Sequence, residues 1–422
     1  MGCANGAKFV TRAPRSLCGV ADQVAYSASN FLLAVMVASA SSAQSFGAFA
    51  ILFAAFSLLL LVFRGFVSEP CMLALAQSGG SATVRRLDVL LLPAFAAIPA
   101  SAVLVLAGSV IGTISLAAAF AVGYFAVVMQ DLLRYILLGA GRGDLAFIGD
   151  LVVICGVVAG FLSRSFDVFD FGVVSSAAIW AISTGLGGLV LLSLAWPLLS
   201  PSGFRLGRSS LGRSLGLDNF VSHVSQQSIP ILVALMGTLG DVGAFRAAQV
   251  ALMPPATILL GVQAAVVPEF VAHRRSYGLL AMKRRGGLLG AALGTAAIVY
   301  YFAIFALPVE LGRMVLGDSW SRGRLLLPFM GVAVIAGPFM TVGIAGLRAL
   351  ASGRGTLVAR YLGVAMTQSL VVPLLVIEGV RGAALGLGVA APLQAAVWWL
   401  VFREVVRRRV SRPGSGVEGN RS

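Results

Sequence analysis

Twelve apolar runs of about 20 residues, separated by short polar connections, fill most of this 422-residue chain. A helix of that length crosses the ~30 Å hydrocarbon layer of a bilayer. Lipid offers no hydrogen bonds to a bare backbone, so each run must satisfy its own amides and carbonyls as a helix. Composition agrees. Charged residues are only 11% of the chain and hydrophobic ones 59%, with mean hydropathy +0.95, whereas soluble domains carry about 25% charged residues. The 50 glycines suit helices that pack closely inside a membrane. The expected architecture is an all-α integral membrane protein with about twelve transmembrane helices.

The runs lie near 16–38, 46–67, 87–108, 112–133, 145–163 and 171–195, and then 214–237, 243–267, 286–307, 325–347, 356–377 and 383–402. Sorting the connections to alternate sides puts 25 of the 31 lysines and arginines on one face. Among them are Arg64, Arg85 and Arg86, the group Arg274, Arg275 and Lys283 to Arg285, and the tail after Val401. The other face receives Arg164, Arg313, Arg322, Arg324 and Arg381, leaving Arg246 inside a run. By the positive-inside rule the basic face and both termini are cytoplasmic. The net charge of +15 thus reads as topology, and no nucleic-acid partner is expected. Ala38-Ser39-Ala40 resembles a signal-peptide cleavage site, but Asp22, Gln23 and Asn30 interrupt the preceding run. The first segment is therefore read as a span. Four dispersed cysteines and two histidines provide no metal-ligand spacing. The excess of arginine over lysine fits a GC-rich bacterial genome, and the expected location is a bacterial inner membrane.

The first and second sets of six runs repeat one another. Asp22 precedes Gly47-Ala48-Phe49 by 25 residues, and Asp218 precedes Gly243-Ala244-Phe245 by 25, an offset of 196 between the sets. At that offset Tyr26 matches Ser222 and Asn30 matches Gln226. Glu69-Pro70 and Pro268-Glu269 follow in order, as do Gly141-Arg142-Gly143 and Gly353-Arg354-Gly355. Six spans return a chain to its starting side, so the repeats are parallel. The expectation is an N-terminal six-helix lobe, residues 1–204, and a C-terminal six-helix lobe with a basic tail, residues 205–422, around a central cleft.

Polar residues inside the runs are the candidate site. Asp22, Tyr26 and Asn30 form one helical stripe. Asn219, Ser222, His223 and Gln226 form another, with Asp218 a turn away. Facing lipid would be costly, so both stripes either line the cleft or bond helices together. Arg246, with Gln249 one turn on, either faces the cleft and an anionic substrate or snorkels to the interface. Asp131 and Arg134 are spaced to pair with each other. Arg64 and Glu69 end the second run as interfacial anchors. Asp150 has no opposite charge within a helical turn and, with Asp131, is a candidate ion or proton coupling site. Pro254-Pro255 breaks the eighth run.

No phosphate-binding loop, metal-ligand set or long external loop suggests an enzyme, and no cofactor is expected. The connection from Pro308 to Arg324 is the longest on the outer face. Asp22-Gln23-Val24 with Ser29-Asn30, then Phe46-Gly47-Ala48-Phe49, resembles the first hairpin of bacterial polysaccharide flippases. So does Arg348-Ala349-Leu350 leading to Gly353-Arg354. These flippases belong to the multidrug/oligosaccharidyl-lipid/polysaccharide exporter superfamily, and the likeness extends over essentially the whole chain. It implies alternating-access transport of a polyprenyl-pyrophosphate-linked oligosaccharide from the cytoplasmic to the outer leaflet. The implied partners are the lipid-linked glycan, membrane lipids and polysaccharide assembly proteins. The alternative is a cation-coupled multidrug exporter of the same superfamily. The major facilitator class also has parallel halves, but its glycine–aspartate loop signature is missing between Pro70 and Arg86.

Overall fold

A computed structural model gives the structure of the protein and describes residues 13–78, 82–166, 172–206, 210–350 and 352–411. It is helical almost throughout. The helices are α1 (Ala13–Ser39), α2 (Ala43–Phe63), α3 (Glu69–Gln77), α4 (Arg86–Val110), α5 (Ile114–Gly139), α6 (Gly143–Ser165) and α7 (Val173–Ala195). They continue with α8 (Ser210–Met236), α9 (Leu239–Ala251), α10 (Met253–Phe305), α11 (Val309–Leu316), α12 (Ser319–Gly323), α13 (Leu327–Ala349) and α14 (Gly353–Ser411).

Among the described residues eight helices are long and apolar enough to cross a membrane, and a ninth span is α9 bent by 49° into the start of α10. That bend falls at Leu252, just before the Pro254-Pro255 pair expected to break the run. Gly379, at φ 61°, divides α14 into two legs. The apolar parts of α1 and α8, Val24–Ser39 and Val224–Met236, fall on the first and seventh expected runs. The chain is an all-α integral membrane protein, and about twelve crossings are consistent with these elements. A second left-handed glycine, Gly278 at φ 86°, turns the chain within α10. Positive φ costs an L-residue steric energy, so a one-residue reversal of this kind needs glycine.

Two short strands, β1 (Val84–Arg85) and β2 (Leu199–Ser200), pair in parallel. They join the connection before α4 to the connection after α7. Asp88 accepts from the Leu206 amide at 3.0 Å, and the Arg86 guanidinium lies 4.1 Å from the Trp196 ring. Both connections were assigned to the same basic face, so their bonding supports the alternation of sides. At the opposite ends, Gly317 approaches the Ala38 carbonyl and Gly240 approaches Arg322. Those residues too were assigned to one side.

The chain forms two compact units. One comprises Met1–Val250 and Pro308–Gly323, and the other Ala251–Leu307 and Arg324–Ser422. This division differs from the boundary of the sequence repeat, because α8 and α9 pack with α2. The packing has a local cause. A side chain on Gly47 would strike the Leu239 carbonyl, and one on Gly243 would strike the Ala43 carbonyl. Both contact pairs are reciprocal at the repeat offset of 196, as a local two-fold axis requires. The first unit is filled by an aromatic group in which Phe56 lies 5.5 Å from Phe120 and 5.3 Å from Trp180. The second is filled by Phe270, Met282, Val342, Trp398 and Phe402.

Replacing either glycine should therefore damage the same crossing. Gly47→Val is expected to destabilise the protein by about 1–3 kcal/mol through overpacking, and Gly243→Val by a similar amount. Thermal unfolding in detergent checks this, and an unchanged midpoint in both variants would contradict the close crossing.

Candidate functional site

The site begins at a break in helix geometry. Residues Arg64–Ser68 form a π turn between α2 and α3. Pro70, at the second position of α3, has no amide to donate and its ring crowds the carbonyl four residues back. The chain accommodates it with one wide turn, a feature common at functional sites. Arg64, at the head of that turn, is directed inward.

There it meets α5. Arg64 Nη2 lies 2.5 Å from Asp131 Oδ1, and its Nε donates to Oδ2 at 3.2 Å. Arg134 Nη1 lies farther from Asp131, at 3.8 Å, and its Nε is 3.3 Å from Asp150 Oδ2 on α6. Gln130 Nε2 donates to Asp150 Oδ1 at 2.7 Å. The Tyr26 ring on α1 stacks under both guanidiniums, 5.2 Å from Arg64 and 4.6 Å from Arg134. Tyr135 flanks them at 5.4 and 5.7 Å. Asp131, Arg134 and Asp150 are at most 1% exposed. The four charges alternate in sign along the chain of contacts and sum formally to zero. Isolated buried charges cost several kcal/mol each, so the arrangement stands only as a set.

One expectation is corrected here and two are extended. Asp150 has no partner along its own helix, as expected, but it has one, Arg134, on the neighbouring helix. Arg64 is no interfacial anchor but a nearly buried ligand of Asp131. Asp131 and Arg134 pair as expected, at 3.8 Å, and each also has a closer opposite charge. Sequence reading missed Gln130 and Tyr135 as members. The usable signal was an arginine placed just before a Glu-Pro pair within an apolar run.

Beside the network lies a small cavity of about 10 Å³ lined by Tyr26, Ser29, Asn30, Gln130, Asp150 and Thr184. That is close to the volume needed for one water. Tyr26 and Asn30 are thus brought together with Asp150. Asp22, Asp218, Ser222 and His223 lie on α1 and α8, but their side chains fall outside the described residues. Gln226 on α8 is exposed.

Arg246 forms a second feature. It stands two turns into α9, with its guanidinium 5.2 Å from the Phe53 ring. Its Nη1 reaches Gln249 Oε1 at 3.3 Å, while its buried Nε has no hydrogen-bond partner. No acidic side chain pairs with it among the described residues. Phe53 belongs to the aromatic wall, 6.2 Å from Trp180.

No protein-family model and no curated protein matches the chain. Solved structures do. A multidrug resistance MATE family transporter of the MOP superfamily, in its inward-facing conformation, aligns over 93% of this chain and 96% of its own, with TM-score 0.71 and 16% identity. The fold is that of MATE transporters. An outward-facing structure of a multidrug resistance MATE family transporter aligns over 94% of this chain and 95% of its own, with TM-score 0.62 and 17% identity. A third similar structure is a MOP superfamily transporter from Pyrococcus furiosus, described as having a binding pocket of reverse polarity that suggests a different function. It covers 95% of both chains with TM-score 0.62 and 16% identity.

The interlocked charges make a specific expectation. Arg64→Met should cost about 3–5 kcal/mol, because Asp131 is left buried beside a weaker partner. The double variant Arg64→Met/Asp131→Leu restores the balance and should be the more stable of the two. Melting midpoints in detergent test the order, and a double variant below the single one would refute the pairing.

Proposed function

We propose that the protein is an alternating-access exporter of an anionic lipid-linked glycan. Its cargo is a polyprenyl-pyrophosphate-linked oligosaccharide, carried from the cytoplasmic to the outer leaflet for surface polysaccharide synthesis. A charged pyrophosphate and its sugars do not cross hydrocarbon unaided. They need a polar route with positive charge along it.

The observation that carries this reading is Arg246. A guanidinium within a membrane span costs ~2.5–3.5 kcal/mol or more, and no carboxylate among the described residues offsets that cost. Its orphaned Nε and its place on an aromatic wall suit a visiting anion with an attached sugar, since sugar rings pack on aromatic faces. Among the described residues the intramembrane acids Asp131 and Asp150 are engaged by Arg64 and Arg134, which disfavours a cationic drug at that network. Transport proceeds by rocking of residues 1–204 against 205–422, with Asp22, Tyr26, Asn30, Asp218, Ser222, His223, Gln226 and Gln249 as further lining. Asp150, at the water-sized cavity, is the coupling residue, and Asp131 holds Arg64 and Arg134 in place. Polysaccharide assembly proteins are the expected partners, in a bacterial inner membrane with both termini cytoplasmic.

A cation-coupled multidrug exporter is the second reading. It is favoured by the multidrug resistance transporters among the fold's neighbours and by the Asp150 cavity.

A deletion strain separates the two. Loss of surface polysaccharide with unchanged drug tolerance is expected, and drug sensitivity with normal polysaccharide would sink the flippase reading. In the complemented strain Arg246→Gln should reduce glycan export at least tenfold at unchanged protein level, with Arg246→Lys retaining part of it. Normal export by Arg246→Gln would remove this residue from the substrate path.

A further inference from the structure

The second unit carries a groove that the transport reading does not use. It lies between the leg of α10 that follows Gly278 and the end of α14, with a volume of about 500 Å³. That is within the ~300–1,000 Å³ of sites that hold small molecules. Leu280, Leu400 and Val410 form its apolar wall, and Lys283, Arg403 and Arg407 its cationic side. Glu404 takes Arg407 at 2.8 Å and Arg408 at 2.7 Å. Lys283 and Arg403 have no acidic partner among the described residues.

The position along the membrane matters. The second leg of α14 runs from Gly379 to Ser411, roughly 48 Å at 1.5 Å per residue. The hydrocarbon layer is only ~30 Å thick, so the last turns reach the headgroup zone. Leu280 is 64% exposed there, Leu400 59% and Val410 47%. Water disfavours these side chains and hydrocarbon disfavours the cations beside them. A phosphate joined to a glycerol and acyl chain satisfies both.

We propose that this groove binds one anionic glycerophospholipid. Its phosphate sits between Lys283 and Arg403, and its upper acyl carbons lie on Leu280, Leu400 and Val410. The lipid then bridges α10 and α14, so the integrity of this helix pair depends on an anionic membrane.

Native mass spectrometry of the full-length protein, titrated with phosphatidylglycerol or with phosphatidylcholine of the same chains, tests this. Wild type is expected to retain one phosphatidylglycerol with at least tenfold preference. Lys283→Gln/Arg403→Gln should fall to within twofold of no preference. Arg284→Gln/Arg409→Gln removes the same charge nearby and should keep the wild-type value. Equal loss in that control would mean diffuse charge attraction and overturn the site. So would displacement by millimolar inorganic phosphate, which marks a free-anion site. Displacement by an equimolar polyprenyl phosphate would reassign the groove to transported lipid and equally defeat the proposal.

Discussion

The ion pair of Arg64 and Asp131, at 2.5 Å, ties the π turn after α2 to the middle of the first unit. Everything else in the buried network is arranged around it. Asp131 is shared, so Arg134 turns its Nε toward Asp150, and Gln130 completes the coordination of that carboxylate. Tyr26 and Tyr135 supply ring faces to both guanidiniums. Each member desolvates its neighbours, and none is tolerable alone in a medium that cannot solvate charge. The cluster therefore couples α1, the π turn, α5 and α6 more firmly than apolar packing in lipid would.

The two sequence repeats treat charge differently. The first encloses two arginines and two aspartates in balance. At the repeat offset Arg64 corresponds to Leu260 and Arg246 to Ala50, so neither charge is required by the symmetry. The backbone repeat is kept at the Gly47–Gly243 crossing, while the polar chemistry has diverged between halves. Divergence of this kind gives one half a self-contained network and leaves the other Arg246, a partly buried guanidinium that no described acid reaches. That asymmetry is the basis of the proposed preference for an anionic cargo.

Much of the fold was legible because lipid simplifies the code. Run length gave the spans, and Pro254-Pro255 gave the bend after α9. The constant offset of 196 marked Gly47 and Gly243, though only their reciprocal contact shows why glycine stands at both. The site was less legible. Arg64 and Asp131 are 67 residues apart, and no local spacing links them. Asp150 looked solitary because its partner lies on another helix. Local patterns report one helix face at a time, whereas a buried charge is neutralised by whichever helix packs against that face. Arg246 stands apart from that network, and none of the described acids reaches it.

The central claim is that the uncompensated charge in the membrane is positive and selects an anion. Equilibrium titration of the purified protein with a polyprenyl pyrophosphate, beside a lipophilic quaternary ammonium of similar size, tests it most directly. The account predicts saturable binding of the pyrophosphate, weakened at least tenfold in Arg246→Gln, and no saturable binding of the cation. Saturable cation binding that is abolished in Asp150→Asn, with none for the pyrophosphate, would contradict it.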